Sequence, residues 1–182
     1  GSAAWDSNGY DNGCIALDGT FEITAPASVF SNISQQMTVS MWISADANQI
    51  EHVIKEIEVA AGSTLQFLCD YIEWTPSNVN QYASQWNHFA FVKNAAAKKT
   101  QVYHNGVLVA QNNNDPYPVA GSSAGETTIG SSNGNFHFIG KIDEFRIYDY
   151  ALSQNEIVYL AKGPAGSLIQ PLVPVMAAND PY

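Results

Sequence analysis

The polar stretch around Trp74 carries the residue types that grip a sugar. Tyr71, Trp74 and Tyr82 are interleaved there with Asn78 and Asn80. A sugar ring presents an apolar C–H face that stacks on an aromatic ring, while its hydroxyls exchange hydrogen bonds with amides and carboxylates. Aromatic side chains supply that large, rigid area, and Tyr and Trp add a polar handle. Trp74 follows Tyr71-Ile72-Glu73 and opens a polar run that ends at Tyr82. Its indole is therefore expected at a strand end beside a loop. A second group of the same kind is Asn133, Asn135 and His137, just before Gly140. A third is Trp5 with Tyr10, in the turn-rich start of the chain. For each group the competing reading is structural, a ring that caps the edge of the core.

Catalytic constellations are thinner. Glu56 and Glu58 alternate along a strand-like run and can share a face. A retaining glycosidase needs two carboxyl groups about 5–5.5 Å apart, one as nucleophile and one as acid/base. Positions 60 and 61, where a further carboxylate could follow on the same strand, are Ala. There is no Gly-x-Ser-x-Gly elbow, and the histidines at 52, 88, 104 and 137 are scattered. Cys14 and Cys69 are too far apart in sequence for the paired ligands of a zinc site. They are either two buried small hydrophobes or a disulfide in an oxidising compartment.

The elements that would position these residues are short strands. Runs at 14–17, 21–24, 37–44, 51–59, 64–73, 86–93, 100–104, 107–111, 126–130 and 136–149 are strand-like and mostly separated by turn residues. Ile142 to Tyr148 alternates apolar and polar, the period of a strand with one buried face. Asn105-Gly106 between two alternating runs is a hairpin signal, because both residues tolerate positive φ. Helix is confined to 153–162. Ser153 can cap it, Glu156 can reach back to the cap, and Leu152 can staple onto Ile157. Gly163-Pro164 ends it. Many short strands with regular turns predict an all-β antiparallel sandwich.

The bulk composition narrows the partners. The 182 residues are 46% hydrophobic and 13% charged, with a formal charge of −10 from 17 acidic and 7 basic residues. Phosphate-backbone binding needs clustered Lys and Arg, and none exists here, so nucleic acid is excluded as an expected partner. No apolar run approaches the ~20 residues of a membrane helix, so membrane insertion is not expected.

Five motifs in order resemble laminin G-like domains of the concanavalin A-like lectin/glucanase jelly-roll family. They are Gly13-Cys14-Ile15-Ala16-Leu17-Asp18-Gly19-Thr20, Met37-Thr38-Val39-Ser40-Met41-Trp42-Ile43, Trp86-Asn87-His88-Phe89-Ala90-Phe91-Val92, Val102 to Val109, and the closing run Gly140-Lys141-Ile142-Asp143-Glu144 through Ser153. The resemblance covers roughly residues 13–160.

The resemblance implies a two-sheet antiparallel sandwich. It also implies a structural calcium held by Asp18, the Gly19 carbonyl and Asp143, against the alternative that Asp18 only shapes a turn. It implies that Trp42 and Trp86 fill core positions. The glucanase branch carries Glu-x-Asp-x-x-Glu on one strand, a pattern absent here, so no enzymatic activity is expected. The chain is then expected to comprise an N-terminal loop (1–12), the sandwich (13–163) and a Pro-rich tail or edge strand (164–182). The opening Gly1-Ser2 reads as a cloning remnant on an excised module. The function implied is a carbohydrate-binding module of a secreted multidomain protein, tethered near a neutral polysaccharide or oligosaccharide. A protein-interaction, adhesion or spacer domain of an extracellular or cell-surface protein is the competing class.

Overall fold

The computed structural model describes residues 4–26, 33–46, 60–61, 82–118, 127–130 and 137–163. Among these residues ten strands and one helix follow in chain order: β1 (Ala4–Asp6), β2 (Cys14–Asp18), β3 (Ile23–Ala25), β4 (Gln36–Ser44), β5 (Ala60–Ala61), β6 (Asn87–Asn94), β7 (Lys99–His104), β8 (Val107–Asn112), β9 (Thr127–Ile129), β10 (Ile139–Tyr148) and α1 (Gln154–Lys162). Seven strands form one sheet in the order β1-β2-β10-β4-β6-β7-β8, and three short ones form a second, β3-β9-β5. Every described pairing is antiparallel.

Alternation along the central strands sets the inner face. Met37, Val39, Met41 and Ile43 of β4 meet Phe89 and Phe91 of β6 and Val102 of β7 in one buried cluster. Ile23 and Ile129, from the short sheet, pack against that cluster. The main core therefore lies between the large sheet and the three described strands of the other.

The opposite, outer face of the large sheet is not left to solvent. Thr38, Ser40 and Trp42 of β4 are buried as well. A strand buried on both faces loses the polar-out half of its alternation. Part of this cover is α1. Ile157 packs with Leu152 on Ala90, Val92 and Tyr103 in a second cluster. The start of α1 follows its sequence signal: Glu156 N–H donates to Ser153 Oγ at 3.4 Å, and Ser153 N–H donates to Glu156 Oε2 at 2.7 Å. The β7–β8 turn also follows its signal, with Asn105 at φ 48° and Gly106 at φ 81°. That geometry matches the right-handed twist of the flanking strands.

The chain start differs from expectation. The sequence predicts loop through residue 12, yet Ala4–Asp6 adds an edge strand on β2. The segment that follows crosses the outer face, where Tyr10 reaches Trp42.

Candidate functional site

The site is built where three segments meet over the outer face. The pairing register places Trp42 beside both His88 and Asp143, and Ser40 beside both Ala90 and Arg146. Cross-strand partners project to the same side of a sheet, so these side chains form one patch. Between Asp143 and Arg146, β10 holds one residue more than β4 opposite. This bulge puts Glu144 at φ 49°. Bulges and left-handed non-glycine residues re-aim side chains and concentrate at functional sites. Here Asp143 Oδ1 accepts from the Glu144 N–H at 2.7 Å, and Glu144 forms an ion pair with Arg146.

The N-terminal segment supplies a second wall. Tyr10 stacks on Trp42 with ring centroids 3.5 Å apart and 11° between planes, and it meets Trp86 edge-on at 6.2 Å. Trp42 is consequently only 7% exposed. Asp143 Oδ2 accepts from the Asp11 N–H at 2.8 Å and pins this segment to β10. The third wall is the last turn of α1. Tyr10 Oη donates to the Lys162 carbonyl at 3.5 Å, and Gly163 lies so close to Tyr10 that any Cβ there would overlap the phenol. The partly open cavity between these walls has a volume of about 210 Å³ and reaches Ser40, His88 and Asp11 as well as the Glu144–Arg146 pair.

The floor contains a serine–histidine contact. Ser40 Oγ lies 2.9 Å from His88 Nε2. His88 is 1% exposed, and burial lowers its pKa to about 4. The imidazole is therefore neutral near pH 7. Its Nδ1 is buried with no hydrogen-bond partner among the described residues. In a nucleophilic triad a third group orients that nitrogen; none does so here. His88 is thus a buried imidazole whose Nε2 is partnered and whose Nδ1 has no partner among the described residues.

The residues predicted from sequence are dispersed. Tyr71, Trp74, Asn78, Asn80, Asn133 and Asn135 lie outside the described residues, as do Glu56 and Glu58. Tyr82 packs against the inner core cluster and meets the His104 ring edge-on at 4.5 Å. It is on the far side of the sheet from Trp42. His137 is half-buried next to the core residue Phe138. Trp5 and Tyr10 do not act together: Trp5 is 74% exposed on the edge strand and lies over Gly13, whereas Tyr10 covers Trp42. Cys14 is a buried free thiol, and Cys69 lies outside the described residues.

Asp18 and Asp143, to which the resemblance assigns a calcium ion, are set apart by the strand register. In the β2–β10 register Asp18 faces Ile139 and Ile15 faces Ile142. Asp143 is four positions beyond Ile139, roughly 13 Å along the strand at the usual rise. Asp18 Oδ1 instead accepts from the Thr20 N–H at 2.9 Å and Thr20 Oγ1 at 2.6 Å, closing the turn at Gly19. Asp143 holds the Asp11 and Glu144 amides. Among the described residues no group of three or more His, Cys, Asp or Glu is placed to hold a metal.

Sequence reasoning missed Asp11, Ser40, Glu144, Arg146 and Tyr159 as cavity residues. One signal was available: Arg146 is the chain's sole arginine and follows an Asp-Glu pair. The bulge that turns it toward the cavity left no mark in the pattern.

The chain belongs to the concanavalin A-like lectin/glucanase superfamily, whose family model matches residues 17–158. No curated protein matches it. Among solved structures it is similar to domain 4 of AbnA, an extracellular GH43 arabinanase from Geobacillus stearothermophilus in complex with arabinotriose. That match has 23% identity, 88% of this chain and 82% of that one, and a TM-score of 0.63. It is also similar to the CBM40 of the Ruminococcus gnavus IT-sialidase, bound to alpha2,3 sialyllactose, at 13% identity over 81% and 96% of the chains with a TM-score of 0.54. The binding domain of Paraclostridial Mosquitocidal Protein 1 matches at 18% identity over 87% and 45%, with a TM-score of 0.60. At these identities the likeness is one of fold. Among the described residues no helix is long and apolar enough to cross a membrane.

Proposed function

We propose that this chain is a non-catalytic carbohydrate-binding module of a secreted multidomain protein, built on two facing sheets. The observation that carries the reading is the outer-face cavity. It combines an aromatic wall with carboxylate, guanidinium and hydroxyl groups, the mixture that a polyhydroxylated ring requires. Similar folds support it, since an arabinanase domain and a sialidase module of this shape hold oligosaccharides. The absence of catalysis is supported by the cavity's own acids. Glu144 is tied to Arg146, not set in an apolar niche as a proton-holding acid is.

The test is a panel of immobilised neutral and acidic glycans probed with the full chain, with and without a calcium chelator. Saturable binding with a Kd in the micromolar range or weaker is expected. No binding to any glycan, by a chain shown to be folded, overturns the reading and favours the protein-interaction class. A Trp74→Ala variant addresses the loop singled out from sequence: loss of binding at unchanged melting temperature would put the platform there.

A further inference from the structure

We propose that the outer-face cavity receives a single uncharged glycosyl unit at the end of a chain. This rests on the carbohydrate-binding reading and names its subsite and ligand class.

Size is the first argument. At about 210 Å³ the cavity is smaller than the roughly 300–1,000 Å³ of pockets that enclose drug-sized ligands. It has room for one sugar ring, not for a run of three. Enclosure is the second. The Tyr10–Trp42 stack fills one side, and the contacts of Tyr10 with Lys162 and Gly163 seal the corner between the N-terminal segment and α1. A chain entering from the open side of the cavity meets this closed corner, and the unit seated against it is its end unit. Tyr159 of α1, 41% exposed, also lines the cavity and offers a ring to the apolar face of an entering sugar.

Polar chemistry is the third argument. Arg146 carries five N–H donors, the Asp11 and Glu144 carboxylates accept, and Ser40 does either. Vicinal hydroxyls satisfy such a set because each both gives and takes. The His88 ring lines the same cavity, and its Nε2, 2.9 Å from Ser40 Oγ, orients the hydroxyl that a ligand would meet. Charge is the fourth. Two carboxylates against one guanidinium leave the lining net negative, and the whole chain carries −10. A carboxylated or sulfated sugar would enter against that field.

The experiment is titration calorimetry of the full chain with arabinotriose, xylotriose, cellotriose and mannotriose, their component monosaccharides, and sialyllactose. Tyr159→Ala and Arg146→Gln are measured alongside, each checked by circular dichroism and melting temperature. Both side chains are substantially exposed, 41% for Tyr159 and 47% for the Arg146 side chain, so both variants are expected to fold. The expected result is that one neutral trisaccharide and its monosaccharide bind within about tenfold of each other. Each variant should weaken that binding by about tenfold or more, as loss of a stacking or charge-assisted contact does. Unchanged binding in both variants, or loss only in Trp74→Ala, overturns the cavity as subsite while leaving the module reading intact. A trisaccharide bound more than about a hundredfold tighter than its monosaccharide overturns single-unit recognition. Preference for sialyllactose overturns the uncharged class. No binding by the wild type fails the module reading itself and the subsite with it.

Discussion

Acidification through pH 6.5 to 4 should unfold this domain more readily than its carboxylates alone explain. The cause is His88. Its folded pKa is about 4 because burial disfavours the imidazolium, whereas an unfolded His titrates near 6.5. The unfolded state therefore binds more protons throughout that window, and stability falls as pH falls. At full extent the difference of about 2.5 pKa units is on the order of 3 kcal/mol; at pH 5 about 2 kcal/mol is already lost. For a domain of this size that lowers the melting temperature by roughly 4–8 °C. His104 adds in the same direction. Burial also takes its pKa to about 4, and its Nε2 is held 3.0 Å from Asn87 Oδ1. Asp115 does not confuse the window. Burial works to raise its pKa, but hydrogen bonds from Lys93 and Thr100 outweigh that and hold it below the usual value, so its contribution disappears only at lower pH. The assay is urea unfolding or calorimetry at pH 7, 6 and 5 for the wild type and His88→Gln. The variant starts less stable and should lose about 2 kcal/mol less between pH 7 and 5. Parallel curves, or a His88 NMR titration midpoint above pH 6, would refute the reasoning.

Asp143→Ala should cost about 3–6 kcal/mol, from two hydrogen bonds to a charged group of roughly 1.5–3 kcal/mol each. The loss should be the same in calcium and in chelator, because this carboxylate holds the Asp11 and Glu144 amides; a calcium-dependent loss in chemical denaturation would contradict that role. Gly163→Ala should destabilise by about 1–3 kcal/mol, since the residue sits at φ 62° and a methyl group would meet Tyr10. Intrinsic tryptophan emission should shift to the red as Tyr10 leaves Trp42, and an unchanged spectrum would place the strain elsewhere.

Much of the fold was legible because its signals are local. Alternation from Ile142 to Tyr148 marked β10, and the Asn105-Gly106 pair marked the β7–β8 turn. Ser153, Glu156 and the Leu152–Ile157 staple marked α1. Each signal depends on residues within a few positions of one another. The placement of the proposed calcium residues is not local in this way. Asp18 and Asp143 do lie on adjacent strands, but ligation depends on register, and the register leaves them four positions apart. Trp42 is buried, as the resemblance implies, but on the outer face and not in the main core cluster. It is covered from outside by Tyr10, 32 positions earlier in the chain, a contact that no periodicity encodes.

The amino-acid order alone thus determined the main strands of the large sheet, the capped helix, the hairpin and the family, while the expected strands at 51–59 and 64–73 lie outside the described residues. These follow from backbone preference and from the two-residue period of a pleated strand. Only tertiary structure decided that the outer face is covered, that a one-residue bulge brings Glu144 and Arg146 beside Ser40 and His88, and that Tyr10 closes the cavity they line. Those placements depend on register and on segments far apart in the chain, and they become defined only when the sheet has assembled.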